Sequence, residues 1–150
     1  MKKLSTAITL LAPIAVFILD RCLKWLFTHP WSEAVFTLWG RWLSLRLAYN
    51  SGAAFGLPIY YLLMIGAHVL ALFVLTYYGL IFYRRRDNRR LTAVLLAGVG
   101  AFSNFLDRWH WGQVIDYIDL RYFSVFNLAD CAIVCGLVFL AWSLYRQEAK

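Results

Sequence analysis

Four long apolar stretches, separated by polar connections, organise the chain. The first runs from Leu4 to about Phe27, with Asp20, Arg21 and Lys24 in its last turns. The second, Ile59–Tyr83, contains no Asp, Glu, Lys or Arg. The third runs from Leu91 to about Trp109, and the fourth from Phe126 to Tyr145. A helix needs roughly 20 mostly apolar residues to cross a bilayer, so each stretch predicts a transmembrane span. The connection after the first is about thirty residues long and carries Trp31, Trp39 and Trp42. Tryptophan favours the membrane–water boundary, which places this loop on the bilayer surface. Within it, Arg41–Ala48 alternates roughly between apolar and polar and predicts a short strand. Arg84–Arg90 is a charged hairpin connection, and a loop to about Val125 precedes the last span. The expected fold is an all-α integral membrane protein of four transmembrane helices with a small β-containing loop region. It is read as one unit over residues 1–150, without repeats or low-complexity tracts.

Composition sharpens this. Of the 150 residues, 62% are hydrophobic and only 15% charged, against about 25% charged in soluble domains. Mean hydropathy is +0.62. These values exclude a disordered chain, a coiled coil and an ordinary soluble domain. The net charge of +7 could suggest nucleic acid, but nine of the fifteen Lys and Arg fall in three patches: Lys2 and Lys3; Arg84, Arg85, Arg86, Arg89 and Arg90; Arg146 and Lys150. Each flanks an apolar stretch, as positive-inside topology requires, so both termini and the 84–90 connection are expected on the cytoplasmic side. No nucleic-acid partner is expected. Three cysteines make no disulfide framework. Cys131 and Cys135 read as packing residues, because no further metal ligands stand near them. The N-terminus imitates a signal peptide but lacks a small-residue cleavage site, and Arg21 spoils a lipid-attachment box before Cys22. It is expected to remain as the first span.

An ionisable residue at the centre of a span costs about 2.5–3.5 kcal/mol on insertion scales. In the expected topology Asp20, Asp107, Asp116, Asp119 and Asp130 all fall at the outward ends of spans or in the outward loop. Asn50, Gly52, Asn104 and Asn127 fall at the same level. Polar groups from distant segments therefore converge at one depth, which predicts a site at the outer boundary. Asp119 and Arg121 also fit plain wet loop residues. Asp130 also fits a helix-start cap, since Asp favours the first turn. His29, His68 and His110 are scattered and form no zinc motif, so no metal is expected. No G-x-S-x-G is present, and Ser51 has no histidine at a telling spacing. What remains is a carboxylate pair. Two Asp held close share one proton: the ionised partner can take a proton from water while the protonated one polarises a carbonyl.

Five motifs carry a resemblance. Asp20-Arg-Cys-Leu-Lys24 looks like D-x-x-x-K, and Asn50-Ser-Gly-Ala-Ala-Phe55 like N-x-G-A-A-F. Gly100-Ala-Phe-Ser-Asn104-Phe-Leu-Asp107-Arg108 looks like G-A-x-G-N-x-x-D-R. Val114-Ile-Asp116 is similar to V-V-D, and Phe126-Asn127-Leu-Ala-Asp130 to F-N-x-A-D. Together, in this order, they resemble the lipoprotein signal peptidases (signal peptidase II), which are bacterial membrane aspartic proteases. The resemblance implies Asp116 and Asp130 as the catalytic pair. It implies that Asn50, Gly52, Asn104, Arg108 and Asn127 shape the site and contact the substrate backbone. Asp20 and Lys24 match residues kept near that site, beside the alternative of a helix-end ion pair worth a few tenths of a kcal/mol. Asp107 is implied to be structural, paired with Arg108, and Gly100 to serve packing. Trp109 and Trp111 read as interface anchors. The chain departs from the family pattern at Ser103 and Val99, where Gly stands, and in a short stretch between Asp116 and Asp130.

The function so implied is removal of the signal peptide from diacylglyceryl-modified prolipoproteins, cutting just before the lipidated Cys. It needs no cofactor. Partners would be prolipoproteins and membrane lipids, and the protein would act as a monomer in the bacterial inner membrane. Its site would lie at the periplasmic boundary, with the loop Thr28–Leu57 covering it. A catalytically silent paralogue that binds precursors or a partner helix is the alternative. A small transporter subunit would need a polar path across the membrane, and polar groups gather at one level only.

Overall fold

The computed structural model describes residues 6–52 and 61–148, and its elements follow the hydropathy pattern closely. Helix α1 is Thr6–Thr28, α2 is Tyr61–Arg84, α3 is Asn88–Trp111 and α4 is Leu128–Glu148. The arginine-rich connection is short because Asp87 ends one helix and starts the next. Its side chain accepts from Arg90 N and caps α3. At the other end Gly112 adopts the left-handed conformation, and its N–H returns to Arg108 O.

Helix α3 is the hub, packing against α1, α2 and α4, whereas α1 and α2 barely touch. The closest crossing is with α4. A Cβ at Gly100 would collide with the carbonyl of Ala129, and one at Gly136 would lie 2.5 Å from Ala93 O. Small residues thus let the two backbones meet. The outer helix faces are apolar and exposed, as at Leu11, Leu62, Phe73 and Val138. By length and composition, α2 and residues 128–146 of α4 can cross a membrane.

The connections hold more β structure than the sequence pattern predicts. Strand β2 is Leu43–Asn50, shifted two residues from the expected Arg41–Ala48. It is the centre of a three-stranded antiparallel sheet, between β1 (Val35–Trp39) and β3 (Val114–Leu120). Gly40, at positive φ, turns β1 into β2. The β2–β3 register sets Ala48 opposite Asp116 and Asn50 opposite Val114. The Phe27 ring lies parallel to that of Tyr117 at 5.4 Å and joins α1 to β3. Trp39 and Trp42 are exposed on the sheet, while Trp31 packs against Phe27 and Phe36.

Candidate active site

The sheet and the helix ends bring the motif residues together. Asp116 arrives on β3, Asn50 on the end of β2, and Asn104 and Arg108 on the last turns of α3. Asn127 and Asp130 form the start of α4. Asn127 and Asp130 cap that helix reciprocally: Asp130 N donates to Asn127 Oδ1 (2.8 Å) and Asn127 N donates to Asp130 Oδ2 (3.2 Å). This is a capping box built from Asn and Asp. The helix-start reading of Asp130 therefore holds for one carboxylate oxygen only. The other, Oδ1, accepts from Asn104 Nδ2 at 2.7 Å.

Asp116 is buried and accepts from two amides, Asn127 Nδ2 (2.7 Å) and Asn50 Nδ2 (3.1 Å). Asn127 Nδ2 also lies 3.1 Å from Asn104 Oδ1. Asn104 and Asn127, joined to each other, thus hold one aspartate each. Burial pushes the Asp116 carboxyl up to about 7, with the charge of Asp130 adding to the rise and the Asn50 and Asn127 donors opposing it.

Gly52 closes the β2 side. Its N–H donates to Asn50 Oδ1, and its carbonyl accepts from Arg108 Nη2 at 3.2 Å. Ala53–Phe55 of the second motif, and the rest of the covering loop to Leu57, lie outside the described residues.

Asp107 corrects one expectation. It does not pair with Arg108: neighbours in a helix point about 100° apart. Its partners are Arg21 Nη1 at 2.5 Å and Lys24 Nζ at 2.7 Å. Asp20 and Lys24 do form the i, i+4 pair near the end of α1, but in the interior and with further partners. Both are buried, 3.0 Å apart, and Lys24 also donates to Asn104 Oδ1 at 2.9 Å. Asp20 accepts from Tyr117 Oη, Ala129 N and Ser103 Oγ. Burial and the Asp20 charge push the Tyr117 hydroxyl up, so it stays a donor.

The two departures from the family pattern separate here. Ser103 is fully buried on the α1 side, 2.6 Å from Asp20 Oδ2. Val99 lines an apolar cleft. Neither sits where Gly100 meets α4. Cys131 and Cys135 are free thiols, and the described residues form no group able to hold a metal.

One residue at the site escaped the sequence reading. His68 Nδ1 lies 2.7 Å from Met64 O, so that nitrogen carries the proton, and Nε2 accepts from Arg108 Nη1 at 3.2 Å. A signal existed: His68 is the only Asp, Glu, Lys, Arg or His between Ile59 and Tyr83.

Comparison with known proteins follows the same residues. The family model described as Signal peptidase (SPase) II matches residues 12–146. The chain is 36% identical over 138 residues to a lipoprotein signal peptidase of Moorella thermoacetica, covering 90% of this chain and 91% of that one. It is 39% identical to one of Syntrophomonas wolfei, covering 85% of each. Among solved structures, a bacterial membrane enzyme determined at 2.3 Å superposes with a TM-score of 0.84 at 25% identity, over 98% of this chain and 93% of that one. A second, at 1.9 Å, gives 0.79 at 25% identity, over 95% and 96%. A match over nearly the whole chain in both sequence and fold admits one conclusion: this chain belongs to the signal peptidase II, or lipoprotein signal peptidase, family of bacterial membrane proteases.

Proposed function

We propose that the chain is an aspartic endopeptidase in which Asp116 and Asp130 activate water to cut a prolipoprotein just before its diacylglyceryl Cys. The observation that carries this is the asparagine pair, Asn104 and Asn127, tied to both carboxylates. Two acids so linked share one proton. Asp116, raised to about 7, holds it near neutrality. Asp130 is then the base. Water attacks the scissile carbonyl carbon and gives a proton to Asp130, while Asp116 donates its proton to the carbonyl oxygen. On collapse, the Asp130 proton passes to the leaving amide nitrogen, the C–N bond breaks, and Asp116 recovers its proton from the intermediate's hydroxyl. The carboxylates themselves form no covalent bond.

In this reading all four helices span the inner membrane as one unit, both termini are cytoplasmic, and the pair sits at the periplasmic boundary. A lipidated membrane helix reaches it there by lateral movement, and a monomer suffices. Asn50, Gly52 and Arg108 line the substrate backbone. Asp20 and Lys24, buried beneath, shape the site without touching substrate. The test is cleavage of a lipidated precursor by purified protein. Wild type yields two products, and Asp116→Asn and Asp130→Asn yield none while retaining the wild-type melting profile. Near wild-type cleavage by either variant refutes the pair. No cleavage by wild type would favour the silent-paralogue reading instead.

A further inference from the structure

The poor contact between α1 and α2 leaves an apolar cleft of about 560 Å³, within the range of about 300–1,000 Å³ usual for ligand sites. Leu10, Leu72, Tyr83, Leu91, Gly98 and Phe102 are among its walls. Leu10 and Tyr83, 48% and 68% exposed, leave it open to the surroundings. Along α3 the lining runs from Leu91 to Phe102, about 16 Å at 1.5 Å per residue. That is the depth of one leaflet of a hydrocarbon core about 30 Å thick.

The end of the cleft is equally specific. Tyr83 and Leu91 flank the connection that carries Arg84, Arg85, Arg86, Arg89 and Arg90. The one acid there, Asp87, is engaged with Arg90 and the α3 cap. Arg84, Arg85 and Arg86 are exposed and, among the described residues, face no carboxylate. A leaflet-deep apolar cleft whose lining residue Tyr83 leads into three exposed arginines, with no ion pair among the described residues, matches a ligand with a long hydrocarbon chain and a phosphate head. We propose that the α1–α2 cleft binds one anionic glycerophospholipid, its acyl chain along α3 and its phosphate on Arg84–Arg86. Basic pockets between transmembrane helices hold anionic head groups in this way. Its phosphate end lies at the opposite end of α3 from Asn104 and Arg108, and the inference does not rest on the catalytic reading.

The experiment uses the full-length protein in detergent, titrated with phosphatidylglycerol, with phosphatidylcholine of the same acyl chains, and with inorganic phosphate. Bound lipid is counted by native mass spectrometry, and stability is followed by melting. Expected are one retained phosphatidylglycerol, a raised Tm, a preference of about tenfold or more over phosphatidylcholine, and no effect of phosphate. Substituting Arg84→Gln, Arg85→Gln and Arg86→Gln together should abolish the preference but leave weak, head-group-blind binding. A Cβ at Gly98 meets nothing within 4 Å, so Gly98→Phe should fill the cleft and abolish retention with precursor cleavage unchanged. Equal binding of the two lipids, or undiminished retention in the Gly98→Phe variant, overturns the proposal. If Gly98→Phe fails to fold, the arginine variant alone decides.

Discussion

The ammonium of Lys24 lies 2.7 Å from the carboxylate of Asp107, and both side chains are almost wholly buried. Lys24 compensates Asp20 as well. Removing one member of a buried ion cluster costs about 3–5 kcal/mol, because the partners keep their charge without its counterpart. Lys24→Met should therefore unfold readily, with a large fall in Tm. Lys24→Met combined with Asp107→Asn should lose less than the sum of the single losses. Strict additivity in this cycle would show that the two charges are not coupled.

The elevated Asp116 carboxyl gives two pH signatures. Folded protein keeps that proton up to about 7, whereas the unfolded chain releases it near 4. The folded state therefore binds more protons across this window, and stability falls as pH rises through it, levelling off above. Asp116→Asn should lack this decline in melting profiles. In the proposed mechanism cleavage needs the shared proton, so kcat/KM should fall as pH rises past about 7, as a property of the pair. A profile flat to high pH would contradict the proton assignment.

Gly136→Ala should be costly out of proportion to its size. The added methyl would lie 2.5 Å from Ala93 O and 2.8 Å from Ala97 N, both backbone atoms that cannot step aside. Overpacking of this kind costs about 1–3 kcal/mol. Gly66→Ala is the control: its Cβ meets nothing within 4 Å, and helix propensity favours alanine by about 1 kcal/mol. Melting of the two variants should move in opposite directions.

His68 positions Arg108. Among the described residues Nε of Arg108 has no partner, and His68→Leu would strip Nη1 as well. KM for the precursor should rise about tenfold with kcat less affected. His68→Gln, which restores an acceptor oxygen, should recover most of the loss. Failure of glutamine to rescue would assign His68 to packing alone.

The four helices were legible because apolar length is a local signal, and each lies within a few residues of its predicted stretch. Strands β1 and β3 were not. The Val114–Tyr117 end of β3 is buried throughout, so the alternation that marks a half-exposed strand is missing from Val114-Ile-Asp-Tyr-Ile-Asp-Leu120. The convergence of Asp116, Asp130 and the three asparagines followed from depth and motif together. Which cation meets which acid did not, because Arg21, Lys24 and Asp107 are joined only when α1 packs on α3. Ser103 read only as a departure from a family glycine, whereas its hydroxyl faces the Asp20 carboxylate, a fact that only the rotation of α3 decides.

The register of β2 against β3 has a temporal consequence. A slip of one residue would turn Asp116 to the opposite face of the strand. Asp130, its proposed partner, belongs to the opening turn of α4, which is made after β3. The proposed pair is therefore incomplete until α4 has been synthesised, after α1, α2, α3 and the sheet.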